Sequence, residues 1–260
     1  MSYVKTETKG FVGTITLNYG KKLNALSSEL IDDIIGAIKD MERLKMRCVI
    51  LRAEPGIKVF SAGHDIKELP RGKRDPLSYK DPLRRVIRAI QKCPAPVIAM
   101  IEGTVWGGAF ETIMSCDMVF ADKRSTFAMT PVNLGVAYDI VGVHNLVRGD
   151  CSAHIIKELF FTARPISAER AERAGIVNRV YDIEDLEAAV MDVAEVICTK
   201  APLSVALIKE ELRVLSEASP LTPGEFQRLQ GIRRTVYDSH DAKEGIDAFF
   251  EKRKPVFTGE

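Results

Sequence analysis

Apolar and polar positions along the chain alternate between two rhythms. YVKTETKG and FVGTITLN, near the start, read as the two strands of a hairpin. SSELIDDIIGAIKDMERL then shifts to helical spacing, with Ser27 or Ser28 placed to cap it. RCVILRAE is a continuous apolar run of strand length, and the residues from Asp81 to Lys92 return to an amphipathic helical pattern. Pro94 and Pro96 bracket the next strand, VIAMI, and CDMVFAD follows after GGAFETIMS. Strands separated by helices of this length predict β–α units with parallel pairing. Past about residue 141 the rhythm changes. Segments 151–161, 167–174, 183–199, 203–217, 222–237 and 240–252 read as helices, interrupted by one short strand-like run, IVNRV. The expected division is an α/β core over residues 1–200 and a helical region over residues 201–260, with no low-complexity linker between them.

At 260 residues and 46% hydrophobic, the chain is large enough for one sizeable core. Its formal net charge of +1 gives no field that calls for nucleic acid or a membrane surface, so neither is expected as a partner. The helix leading into MERLKMR interleaves acids at Asp32, Asp33, Asp40 and Glu42, which argues against an RNA-binding or scaffold role. Five cysteines are widely spaced without CxxC pairs and sit mostly in apolar runs, as free thiols in a reducing compartment do. The N-terminus MSYVKTETKG is polar and lacks an apolar signal core, and no apolar run approaches 18 residues. A cytoplasmic location is expected. His144, His154 and His240 are scattered without ligand spacing, so no metal site is expected. GxGxxG and GxSxG are both absent, which removes the dinucleotide-binding and serine-hydrolase readings.

The chemistry concentrates around GTVWGGAFE, where Gly107 and Gly108 follow an apolar strand and Glu111 stands three residues on. Adjacent glycines there indicate close approach to the backbone or unusual dihedrals. The Gly108 N–H at a strand-to-helix turn is a fixed donor near a helix N-terminus. A second glycine-bearing turn, KVFSAGHDIKEL, places the His64 N–H as a companion donor. Two N–H groups converging on one oxygen form an oxyanion hole, suited to an enolate or a tetrahedral anion.

At these residues the sequence resembles the crotonase (enoyl-CoA hydratase/isomerase) superfamily, and it does so over essentially its whole length. KLNALSSEL, FSAGHDIKEL, IEGTVWGGAFE, STFAMTPVNLG and FFEKRKPVF match five of that family's motifs in order. The resemblance implies a crotonase-like α/β fold with a ββα superhelix core and a helical C-terminal region. It also implies a trimer or dimer of trimers and an acyl-CoA thioester substrate. Coenzyme A enters as part of that substrate, and no separate cofactor is implied. His64 and Gly108 become the oxyanion donors. The FSAGHDIKEL segment places coenzyme A against Ala62, Asp65, Ile66, Lys67 and Glu68. Its phosphates fall near Lys21, Lys22 and Lys254, the last from a neighbouring subunit.

Which reaction follows depends on a departure from the pattern. Hydratases of the family activate water with two glutamates; the first falls on Glu111, but the second falls on Pro131. Proline offers neither acid nor donor. The stretch TPVNLGVAY, with FSAGHDI, VWGGAFE and DPLSYKDPLR, is instead similar to the branch of the superfamily that decarboxylates malonyl-type thioesters, methylmalonyl-CoA giving propionyl-CoA. Loss of CO2 creates the enolate without a base, so the site has to hold the enolate oxygen and orient the carboxylate. The resemblance gives the first task to His64 and Gly108, the second to Tyr138, and an added polar contact to Thr130. Glu111 is retained as a catalytic candidate. Ala137 stands where the pattern has proline, which would loosen the loop carrying Tyr138. A hydratase or isomerase with a relocated acid, such as Asp139, remains the alternative.

Overall fold

The computed structural model describes residues 2–69, 81–147, 151–216 and 222–258. Residues 75–80, which belong to the DPLSYKDPLR match, lie outside them. The hairpin forms as expected, β1 (Val4–Lys9) pairing antiparallel with β2 (Val12–Leu17). Helix α1 (Ser28–Arg43) begins at Ser27, whose hydroxyl oxygen accepts from the Leu30 N–H at 3.3 Å. Its buried residues, Leu30, Ile31, Ile34, Ile38 and Met41, recur at helical spacing and form one side of the main core. Strand β3 (Cys48–Ala53) is buried along its whole length and leads to β4 (Val59–Ser61). Helix α2 (Pro82–Lys92) starts with proline at its first position and with the Asp81 carboxylate accepting from the Leu83 and Arg84 N–H groups.

After β5 (Val97–Ile101) come β6 (Thr104–Trp106) and α3 (Gly108–Met114), then β7 (Met118–Asp122) and β8 (Thr126–Ala128). A 3-10 turn over Pro131–Leu134 precedes α4 (Ile140–Val147) and α5 (Ala153–Thr162). The chain continues through β9 (Ile166–Ser167), α6 (Ala168–Arg173), β10 (Arg179–Tyr181) and α7 (Ile183–Cys198). It finishes with α8 (Pro202–Ser216), α9 (Pro223–Tyr237) and α10 (His240–Phe250).

Two sheets organise these elements. One has the order β1-β2-β3-β5-β7-β10 and is parallel from β2 onward; the other has the order β4-β6-β8-β9. Three times the chain leaves a strand of the first sheet, makes a short strand of the second, and enters a helix or helical turn. Because β4, β6 and β8 are parallel, this repeat makes these three short strands end on the same side of the molecule. At the β5–β6 step Gly103 has φ +83°, and a Cβ there would stand 2.5 Å from the Lys58 carbonyl oxygen, so glycine is required. The second sheet and α4 were not among the elements expected from the pattern. Strands of two or three residues are too short to register a period of two.

The helices beyond residue 201 have different relations to the core. Helix α10 seats on the Pro131–Leu134 turn, where a Cβ at Gly135 would stand 2.5 Å from the Asp241 carbonyl oxygen. Helix α9 packs against α4 and α10. Helix α8 has no buried residue, although Lys209 reaches inward to donate to the Ile90 and Ala95 carbonyls, each at 3.1 Å, and to Asp117 at 2.7 Å.

Candidate active site

The parallel strands β4 and β6 end side by side, and each runs into a glycine turn. At the first turn Gly63 has φ +83°; a Cβ there would press on the Trp106 carbonyl and lie 3.0 Å from the Gly108 nitrogen. Only glycine lets the two turns approach this closely. KLNAL braces the same turn from below. Asn24, fully buried at φ +48°, donates from Nδ2 to the Phe60 carbonyl at 2.9 Å, and the Ser61 hydroxyl donates to the Asn24 carbonyl at 2.6 Å. The Leu26 N–H donates to the Gly63 carbonyl at 2.7 Å.

At the second turn Gly107 has φ +54°, and its N–H donates to the Ala128 carbonyl at 2.9 Å. Gly108 then opens α3, where a first-turn N–H has no intrahelical acceptor. A Cβ on residue 108 would stand 3.4 Å from the His64 nitrogen. The main-chain nitrogens of 64 and 108 therefore border one small space, which the Leu83 side chain flanks at 3.2 Å from the same point. The His64 imidazole lies beside its own main chain, with Nδ1 3.1 Å from the Asp65 carbonyl oxygen, which makes Nδ1 the protonated nitrogen.

One turn into α3, Glu111 is completely buried. Its carboxylate accepts from three side chains: the Arg84 guanidinium of α2, the Tyr138 hydroxyl, and Nδ2 of Asn145 in α4 at 3.4 Å. Gly142 of α4 lets the group close up, since a Cβ there would stand 2.5 Å from a Tyr138 ring carbon and 2.7 Å from Glu111 Oε2. Burial, reinforced by the Glu111 charge, pushes the Tyr138 phenol well above its ordinary range and keeps it protonated. For Arg84 burial acts to lower the guanidinium, but the attraction of Glu111 outweighs it and the net direction is upward. Arg84 and Asn145 were not among the residues singled out from sequence. A signal for Arg84 was present, because it interrupts the apolar face that Leu83, Val86, Ile87 and Ile90 form on α2.

A cleft of about 750 Å3, counted to its open mouth, lies over these turns. Of the expected site residues, Ala62, His64, Ile66, Gly108, Thr130 and Tyr138 line it, as does Pro131 at the position expected for a second acid. Helix α9 adds Arg233 and Tyr237, which sequence did not suggest; Arg233 Nη1 lies 3.7 Å from Asp139. Asp139 is thus paired with an arginine and is no unengaged relocated acid. The Tyr138 loop, despite Ala137, is held by its ring edge against Phe160 (centroids 5.3 Å apart) and by the seat of α10.

The remaining predicted contacts are less central. Asp65 caps a 3-10 turn by accepting from the Lys67 N–H at 2.9 Å and lies 4.0 Å from the Lys22 ammonium. Glu68 faces α1, accepting from the Ser28 N–H and from its hydroxyl at 2.7 Å. Lys22 lies 5.5 Å over the Tyr19 ring. Lys22, Asp65, Lys67, Glu68 and Lys254, all expected as substrate contacts, are not part of the wall of the cleft. Among the described residues no helix is long and apolar enough to cross a membrane, and no cluster of three or more His, Cys, Asp or Glu side chains is arranged for a metal.

Two parallel turns that expose paired main-chain nitrogens, repeated on ββα steps, define the class: the chain belongs to the enoyl-CoA hydratase/isomerase family, whose pattern it matches over residues 7–260. Within that family it is 59% identical to the methylmalonyl-CoA decarboxylase of Escherichia coli (strain K12), over 99% of this chain and 98% of that protein. A probable mitochondrial enoyl-CoA hydratase of Dictyostelium discoideum is 34% identical over 97% of this chain and 89% of its own length. The solved structure of methylmalonyl-CoA decarboxylase complexed with 2S-carboxypropyl-CoA superposes with a TM-score of 0.97 at 58% identity, covering 100% of this chain and 99% of the other.

Proposed function

We propose that this enzyme decarboxylates methylmalonyl-CoA to propionyl-CoA. The observation that carries the reading is the state of its acids. Glu111 is fully buried and ion-paired to Arg84, and Pro131 occupies the place of a second carboxylate. Asp81 and Asp139, which do line the cleft, are engaged elsewhere, Asp81 in capping α2 and Asp139 with Arg233, so the pair that water addition requires is missing. What it retains is the space between the His64 and Gly108 nitrogens. The thioester oxygen binds there. As the bond from C2 to the carboxylate breaks, its electron pair moves into the thioester and the negative charge settles on that oxygen, facing fixed dipoles that need no reorganisation. CO2 departs and C2 of the enolate takes up a proton.

Tyr138 orients the departing carboxylate. Its single hydroxyl proton points to Glu111 in this structure and is redirected to the substrate on binding, while Glu111 keeps Arg84 and Asn145. Thr130, at the cleft wall beside Gly107, adds a hydroxyl. Coenzyme A runs past Ala62 and Ile66 toward Lys22. Offering methylmalonyl-CoA and crotonyl-CoA to the wild-type enzyme tests the reading, which predicts CO2 release from the first and no hydration of the second.

The working unit is a trimer or a dimer of trimers. Leu203, Leu207, Ile208, Leu212 and Leu215 leave α8 with an apolar face more than half exposed, which one protomer alone does not cover. Light scattering is expected to give three or six chains, and a single 28.8 kDa chain at micromolar concentration would overturn that assembly. Lys254 would then approach a neighbour's coenzyme A. The five free thiols support a reducing, cytoplasmic setting.

A further inference from the structure

Arg84 is the one charged side chain on the buried face of α2, where its buried neighbours are Leu83, Val86, Ile87 and Ile90. A guanidinium taken out of water is costly unless its partner compensates for the lost hydration. Its partner, Glu111, has no exposed surface at all, so each ion depends on the other. Arg84 also keeps Nη1 buried and without a hydrogen-bond partner among the described residues, in the wall of the cleft. Tyr138 stands between Glu111 and the cleft. A substrate that carries its own carboxylate therefore brings a further anion to a wall lined by Asp81 and Asp139 and backed, behind Tyr138, by Glu111.

We propose that Arg84 is a positioning residue that acts through Glu111, cancelling its charge so that a carboxylate-bearing acyl-CoA is admitted beside Tyr138. The role rests on the decarboxylase reading for its purpose, but it is measured by binding alone. Glu111, held by Arg84 and Asn145, stays fixed when Tyr138 turns its hydroxyl hydrogen bond to the ligand. Without Arg84 the buried cation that offsets Glu111 beside the acyl group is lost, which disfavours a carboxylated acyl group and leaves an uncharged one little affected.

The test titrates 2-carboxypropyl-CoA and propyl-CoA, two thioethers that differ only in the carboxylate, into wild type, Arg84→Met and Arg84→Met/Glu111→Gln. Arg84→Met is expected to weaken the carboxylated ligand at least about tenfold and propyl-CoA by less than about threefold, and the added Glu111→Gln to restore most of the loss. Equal weakening of both ligands, or a double variant no better than the single, overturns the proposal. Should Arg84→Met fail to fold, Arg84→Lys keeps the charge and is expected to hold the ratio of the two affinities within about threefold of wild type; a shift of about tenfold against the carboxylated ligand overturns it. Wild-type turnover of methylmalonyl-CoA tests the decarboxylase reading separately.

Discussion

Gly108→Ala is expected to lower kcat/KM for methylmalonyl-CoA by about 10²–10³-fold, the usual cost of losing an oxyanion contact, without unfolding the protein. Residue 108 has ordinary helical dihedrals at the start of α3, so alanine is tolerated there and improves helix propensity by up to about 1 kcal/mol. The donor N–H is kept as well. What changes is the space: the new methyl would stand 3.4 Å from the His64 nitrogen and 3.2 Å from Leu83 Cδ2, where the thioester oxygen has to enter. Stability and activity should therefore part company, with an unchanged melting temperature beside a nearly inactive enzyme. A folded Gly108→Ala protein that kept more than half its rate would place the oxygen elsewhere.

Tyr138→Phe is expected to reduce kcat/KM for methylmalonyl-CoA by roughly ten- to a hundredfold, about 1.4–2.7 kcal/mol of transition-state stabilisation, chiefly in kcat. The substitution keeps the ring and its edge contact with Phe160 while deleting the hydroxyl. Glu111→Gln provides the contrast. It removes the charge that holds Arg84 but spares the Tyr138 hydroxyl, so it should cost less than Tyr138→Phe. In a hydratase the order would reverse, because water activation fails without the carboxylate. A fall confined to KM in Tyr138→Phe would reduce the hydroxyl to a binding contact.

The parts of this site that announced themselves in the sequence are those built from main chain. A Cβ at Gly63 would press on the Trp106 carbonyl, Gly107 has a positive φ of +54°, and Gly108 leaves the space beside the His64 nitrogen open, and such positions are written into the sequence as glycine. The strands that place them were harder to see. β4, β6 and β8 are three residues each, so their pairing depends on partners distant in the chain rather than on any local pattern. Glu111 was visible, but its state was not. Whether it activates water or sits neutralised depends on Arg84, 27 residues earlier, and on Asn145, 34 residues later. Side-chain pairing across elements leaves no periodic trace. Arg233 and Tyr237 were hidden for the same reason, since nothing in the pattern of α9 tells which of its faces closes the cleft. Glu68 shows the converse. It sits inside a recognisable motif, yet its carboxylate faces Ser28 at the start of α1.

The claim at the centre of this account is that the enzyme breaks a carbon–carbon bond to CO2 and does not add water. The most direct measurement supplies malonyl-CoA, methylmalonyl-CoA and crotonyl-CoA in parallel to the wild-type enzyme and follows CO2 release and loss of the enoyl chromophore. The account predicts CO2 and propionyl-CoA in equal amounts from methylmalonyl-CoA, with crotonyl-CoA unchanged. Hydration of crotonyl-CoA without CO2 from either malonyl thioester would contradict it.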